Sequence, residues 1–339
     1  MQPAHPRPCS HVKMSPLTLP AVSVEANAPG IGVAHADRRT RSKRDVRLIV
    51  AVAAVWLLWG STFAGMRFAV ATIPPFAMAS LRFSLAGLIL YALCAATGRG
   101  RITRGDLVGA SVTGATLLLL GNGMTAWTVQ FLPTGINSLL LSLSPIWMAI
   151  IAFVWFGERP SRIAVGGMLL GLVGLALLLS PRAGATFPVW PAVLALLASV
   201  AWAFGSIYQR RAGRTDNLVL ATALQMIVGG VLLAGEAAVL GEWKIFDVHA
   251  VSSSSLAGFA WLVVFGSLCG YSAYLYTMRN ASTALASTYA YVNPVVAVII
   301  GMLLFHERFT PLEALASAII LAGVALMMLP SRSVSKRAP

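Results

Sequence analysis

Negative charge is scarce in this chain: 11 Asp and Glu stand among 339 residues, against 25 Lys and Arg. Inside the long apolar runs acids and histidines vanish, and Glu236 and Glu313 stand at run ends. Proton-coupled carriers use such buried groups. Their absence leaves coupling to a tyrosine, to a terminal carboxylate, or to none, as in a facilitator. Cysteine is also rare. Cys9, Cys94 and Cys269 are odd in number and lack metal-ligand spacing, which argues against a disulfide framework or a metal cluster. No His-Glu-x2-His and no Gly-x4-Gly-Lys-Ser/Thr occurs, so no metal, no nucleotide engine and no other cofactor is expected.

What fills the chain instead is apolar. It is 58% hydrophobic and 11% charged, with a mean hydropathy of +0.79 and 30 glycines, where soluble domains carry about 25% charged residues. Glycine within oily runs is a habit of polytopic membrane proteins, and the lipid bilayer is the expected surroundings. The net charge of +14 does not indicate nucleic acid. Basic residues cluster in the N-terminal tail and between oily runs, without the aromatic interleaving of a nucleic-acid reader.

Residues 1–46 are rich in Pro, Ser, Ala and Arg and show no apolar period, which predicts a disordered basic tail. The "AHA" at Ala34–Ala36 imitates a leader-cleavage site, but its upstream apolar stretch is short and broken by Pro20 and Glu25. A translation start near Met14 or later is an alternative reading of this tail. Residues 331–339 form a second basic tail.

A helix needs ~20 apolar residues to cross ~30 Å of hydrocarbon. Runs of that kind fall at roughly 48–69, 75–96, 106–128, 134–156, 163–180, 189–209, 218–240, 256–277, 283–305 and 312–330. The expected fold is an all-α polytopic membrane protein of ten transmembrane helices. With the N-terminus cytoplasmic, 20 of the 25 basic residues fall in cytoplasmic segments. Arg182, Lys244 and Arg308 lie outside, while Arg67 and Arg82 belong to spans. That bias places both termini in the cytoplasm.

The chain repeats itself. "PIWMAIIAFVWFGER" (145–159) and "PVVAVIIGMLLFHER" (294–308) share a layout at an offset of 149, which also aligns Thr134 with Thr283, Ser138 with Ser287 and Gly174 with Gly323. Upstream, "GMTAWT" (123–128) faces "GYSAYL" (270–275), and Gly60–Ser61 matches Gly205–Ser206. Two units are implied, 47–181 and 189–330. An odd number of spans per unit inserts the second upside down relative to the first, a recurring plan of secondary transporters with a site where the halves meet.

These residues also carry a family resemblance. "LLWGSTFAGMRFAV", Arg82 in "ASLRFSLAGLIL", and the paired Glu-Arg phrases resemble the EamA-type family of the drug/metabolite transporter superfamily, within it the drug/metabolite exporter subgroup. The resemblance covers about residues 46–330. It implies ten helices in two inverted halves, a bacterial inner-membrane location and export of small metabolites, with no substrate carried over; small organic metabolites, amino acids or amphipathic drugs are the solutes of the carrier reading.

Several residues stand out within that plan. Pro145 and Pro294, central in their spans, withhold a hydrogen bond from the carbonyls of Leu141 and Ala290. Either they are hinges beside a hydrated cavity or they are packing kinks. Glu158-Arg159 and Glu307-Arg308 close opposite faces, as gate-bordering structural ion pairs or as substrate contacts. Arg82 sits two turns inside its span, where insertion costs ~2.5–3.5 kcal/mol; it either serves a site or snorkels outward. Polar and aromatic candidates for a substrate cavity are Trp59, Ser61, Asn122, Trp127, Tyr208, Tyr271 and Tyr274, with Tyr289 and Asn293 beside the second proline. Glycines in "GGMLLGLVGLALLL" and "LASAIILAGVALMML" suit close helix contacts. No catalytic group is expected. The longest loop, about 241–255, offers only Lys244, Asp247 and His249, too sparse for a membrane-embedded enzyme. A carrier of small molecules is the main reading, a lipid-headgroup or sugar-lipid flippase the alternative. A monomer is one reading of such a plan, and the sequence leaves the oligomeric state open.

Overall fold

The computed structural model describes residues 31–179, 188–212, 217–280 and 288–327, and in them the chain is helical throughout. Seven helices are long and apolar enough to cross a bilayer. They belong to α1 (Ile31–Ala69), α2 (Pro75–Ala96), α3 (Arg104–Thr128), α4 (Thr134–Phe156), α6 (Val189–Ala212), α7 (Leu218–Val239) and α8 (Ser253–Thr277). Three apolar helices are shorter, at 17 residues: α5 (Arg162–Leu178), α9 (Tyr289–Phe305) and α10 (Pro311–Met327). The expected segments are therefore all present as helix, with seven rather than ten of full crossing length. The residues just before α9, including Thr283 and Ser287, lie outside the described residues, as do Arg182 and both extreme tails.

Of the expected N-terminal tail, residues 1–30 lie outside the described residues. Helix α1 begins at Ile31, inside the stretch read as disordered. Neither proline nor glycine occurs from Val33 to Trp59, and the Ala, Arg and Lys of the basic segment are good helix formers. Local propensity therefore favours helix in the basic segment, while the apolar stretch of crossing length begins at Val46.

Helix ends follow their sequence signals. Thr103 and Asp106 form a reciprocal capping box at the start of α3, Ser161 caps α5 through the Ala164 N–H, and Thr310 with Glu313 does the same for α10. Gly157 and His306, 149 positions apart, both take the left-handed conformation that ends α4 and α9. The repeated Glu-Arg pair follows that turn each time.

Packing sets each half against the other. Helix α2 lies along α7, and α5 along α10, so second and fifth helices meet their own counterparts. The contact is close: a Cβ on Gly167 would fall 2.6 Å from the Gly323 carbonyl oxygen, and one on Gly323 would fall 2.6 Å from the Gly171 nitrogen. The expected role of the glycine-rich phrases is met here. Helix α6 packs on α3 and α4, and α1 reaches α8 and α9 through Trp59 Nε1 donating to the Gly266 carbonyl (3.2 Å) and Trp56 Nε1 donating to Thr288 Oγ1 (2.9 Å). First helices thus cross to the third and fourth helices of the opposite half.

Connecting segments gather at two ends of the bundle. At one end the Ser252 N–H donates to Thr72 Oγ1 (3.1 Å), and the Ala77 N–H at the start of α2 donates to Glu242 Oε2 (2.8 Å). Burial raises the Glu242 carboxyl above its ordinary value, against the lowering pull of the backbone N–H groups of Ala77 and Phe76. At the other end Asn217 Nδ2 donates to the Arg99 carbonyl (3.0 Å). Apolar side chains cover the bundle's outside, Leu303 at 70% and Val154 at 68% exposure among them, a surface that suits lipid.

Candidate functional site

Between the halves lies a cavity with about 740 Å³ of empty space, its open mouth included. Helices of both halves wall it. Six of the cavity candidates from the sequence reach it, Trp59, Arg82, Asn122, Tyr271, Tyr289 and Asn293, and so does the proline Pro294. Tyr274 lines an adjoining space of about 400 Å³ together with Trp59, Tyr271 and Tyr289. The four rings form one cluster, with the Trp59 centroid 5.3 Å from Tyr271, 5.0 Å from Tyr274 and 5.3 Å from Tyr289. The Asn293 amide nitrogen, turned toward the carbonyls of Trp56 and Tyr289, donates at 3.1 and 3.3 Å and so ties α9 to α1.

Ser61, Trp127 and Tyr208 do not reach these two spaces. Helical phase explains all three. At about 100° per residue, Trp59, Thr62, Phe63 and Met66 share the cavity face of α1, and Ser61 points away. Its hydroxyl donates to the Leu58 carbonyl and accepts from Trp261 Nε1. Trp127 stands off the face of Asn122 and Thr125 and packs on Phe131 and Trp190, with centroids 4.9 and 4.8 Å away. On α6, Trp202, Ser206 and Gln209 share a face that Tyr208 leaves.

The same phase identifies residues that sequence reading passed over. Thr62, Thr125, Ser138, Ser142 and Trp202 line the main cavity, and Gln209 and Gln225 the smaller one. Small polar residues at helical spacing, Ser138 and Ser142 or Asn122 and Thr125, were the available signal.

The backbone is irregular where it meets the cavity. Helix α4 is interrupted between Leu141 and Ser144, and Pro145 opens its second part; Pro294 lies within α9. The carbonyls the two prolines leave without a partner belong to Leu141 and Ala290, and both residues line the cavity. In α3 and α8 the turns widen to i→i+5 bonding over Gly114–Gly123 and Leu262–Cys269. These stretches end beside the aligned pair Gly123 and Gly270, so the irregularity is repeated with the sequence. Wide turns of this kind cluster at functional sites.

At one end of the bundle, Glu307 gathers three segments. Its Oε1 accepts from the Thr134 N–H (2.8 Å) and pairs with Arg67 Nη1; its Oε2 accepts from Thr134 Oγ1 (3.0 Å). The carboxylate therefore caps the N-terminus of α4, where a helix favours negative charge, and binds the end of α1. The sequence suggested a gate-bordering ion pair or a substrate contact. The observed partners are Arg67 and α4, while Thr310 and Glu313 cap α10. Gly301 leaves the room: a Cβ there would meet Thr134 Oγ1 at 2.6 Å.

A family model described as the EamA-like transporter family matches residues 47–180 and again 189–329. The chain belongs to the EamA-like transporter family. The two EamA matches cover the two five-helix halves. Among relatives, the uncharacterized inner membrane transporter YedA of Escherichia coli (strain K12) is 35% identical over 85% of this chain and 93% of its own. A WAT1-related chloroplastic protein of Arabidopsis thaliana is 27% identical over 81% of this chain and 68% of its own. A crystal structure of a protein at 20% identity superposes with a TM-score of 0.59, covering 82% of this chain and 95% of the other, which shows a shared fold. Membership makes this EamA chain a multi-pass membrane protein with a transport role.

Proposed function

We propose that this EamA-family protein is a secondary carrier that moves small organic molecules outward across the inner membrane. In this reading ten helices cross as two inverted halves, with both termini cytoplasmic, and the central cavity opens to each side in turn. The observation that carries it is the cavity itself: both halves wall it, proline-bearing helices border it, and Glu307 draws α1, α4 and α9 together at one end. Irregular backbone at membrane depth is tolerated where it lines such a space. The cap at Glu307 acts as the external latch. The basic-residue bias supports the orientation, and the name of the relative YedA supports the membrane.

The test is reconstitution in liposomes with a panel of amino acids, organic acids, amphipathic cations and sugars, with and without an imposed pH gradient. Counterflow of at least one solute is the expected result. Folded protein that moves none of them while chemically modifying lipid would overturn the carrier in favour of an enzyme.

A further inference from the structure

Arg82 is 4% exposed and lines the central cavity from α2. Its Nε donates to Ser267 Oγ at 3.0 Å, and its guanidinium carbon lies 4.6 Å from the centroid of the Phe83 ring. Those contacts fix the plane of the group without neutralising it. No carboxylate among the described residues pairs with Arg82, and the terminal nitrogens have no protein acceptor there. Nor are they sealed away, since the buried side-chain atoms without a partner do not include them. A guanidinium has five donors in a rigid fork, and one is used. The remaining edge meets a space walled by Trp59, Tyr271 and Tyr289 in which no acid stands.

A buried charge is costly unless paired, and a guanidinium fork matches a carboxylate with two parallel bonds. We propose that the carried solute is a small organic monocarboxylate with an apolar or aromatic body, its carboxylate docked on Arg82 and its body on the Trp59 ring cluster. This rests on the carrier reading above and gives it a substrate class. Aromatic walls alone also suit cations, but a fixed guanidinium beside them opposes a second positive charge. A single guanidinium balances one negative charge, which favours carboxylate over a phosphate dianion.

The test holds the body constant and varies the head: 3-phenylpropionate, its amide, and 3-phenylpropylamine, each titrated against detergent-solubilised full-length protein by tryptophan fluorescence. The acid is expected to bind at least tenfold tighter than the amide, and the amine weakest. In Arg82→Gln the acid and amide should become equal within about twofold, while Arg82→Lys keeps the acid preferred. A purely structural Arg82 would weaken all three alike or none. Equal binding of acid and amide by the wild type, or preference for the amine, overturns the proposal even if Arg82→Gln does not fold. Binding of the acid with no flux in liposomes would instead sink the carrier and leave the anion site standing.

Discussion

At Glu307 one carboxylate serves a cap and an ion pair at once, with its side chain 6% exposed and that of Arg67 37% exposed. Breaking a buried pair costs about 3–5 kcal/mol because the surviving charge is stranded. Arg67 can still turn to water, so Glu307→Ala is expected to cost less, about 2–3 kcal/mol. Glu307→Gln should cost less again, because an amide oxygen still accepts from Thr134. Denaturant unfolding of the purified protein checks both, and equal stability of all three forms would remove Glu307 as a fastener. The sequence marked Glu307 by repetition but gave no sign of its partners, which lie 240 and 173 positions away. Arg308, adjacent in sequence, drew the pairing argument instead. A tertiary partner is invisible until the halves are docked.

The helices themselves were far more legible. Long apolar runs bounded by Pro, Gly and charge predicted most helix ends to within a few residues, because hydrocarbon thickness sets the length a span needs; the start of α1 at Ile31 was not among them. Rotation about the axis was not legible where every face is apolar, as Ser61, Trp127 and Tyr208 show. Prolines are a feature of this scale. Pro294 lies inside α9, where proline is about 3 kcal/mol less favourable than alanine. Pro294→Ala should therefore raise thermal stability while slowing counterflow at least tenfold, because an N–H at position 294 can bond the Ala290 carbonyl and stiffen the helix where it lines the cavity. A raised melting temperature with unchanged flux would make the proline a packing feature. Pro145 opens a helix segment rather than interrupting one, so Pro145→Ala should stabilise less.

For the whole molecule, the two-unit plan was readable because the offset of 149 runs without a gap through two spans. The seam was not readable, since glycines that touch across it look like glycines anywhere in an oily helix. The inverted arrangement proposed above has a direct consequence for labelling. Single cysteines placed at Glu158 and at Glu307, in a background lacking Cys9, Cys94 and Cys269, should react with impermeant maleimide from opposite sides of oriented vesicles. Reaction of both from one side would end the inverted plan and the alternating mechanism with it.

The pairing of α2 with α7 and of α5 with α10 has a historical side. A surface that docks on its own near-copy is self-complementary, as in a two-fold homodimer. Each half already carries ridge and slot for the same joint, so a lone ancestral five-helix piece would have needed no stranger to assemble with, merely a sibling threaded the other way. Joining two such pieces in one polypeptide would fix that pairing in place of chance encounter. It would also leave equivalent positions of the two halves free to differ, as Gly157 and His306 do at the turns that end α4 and α9.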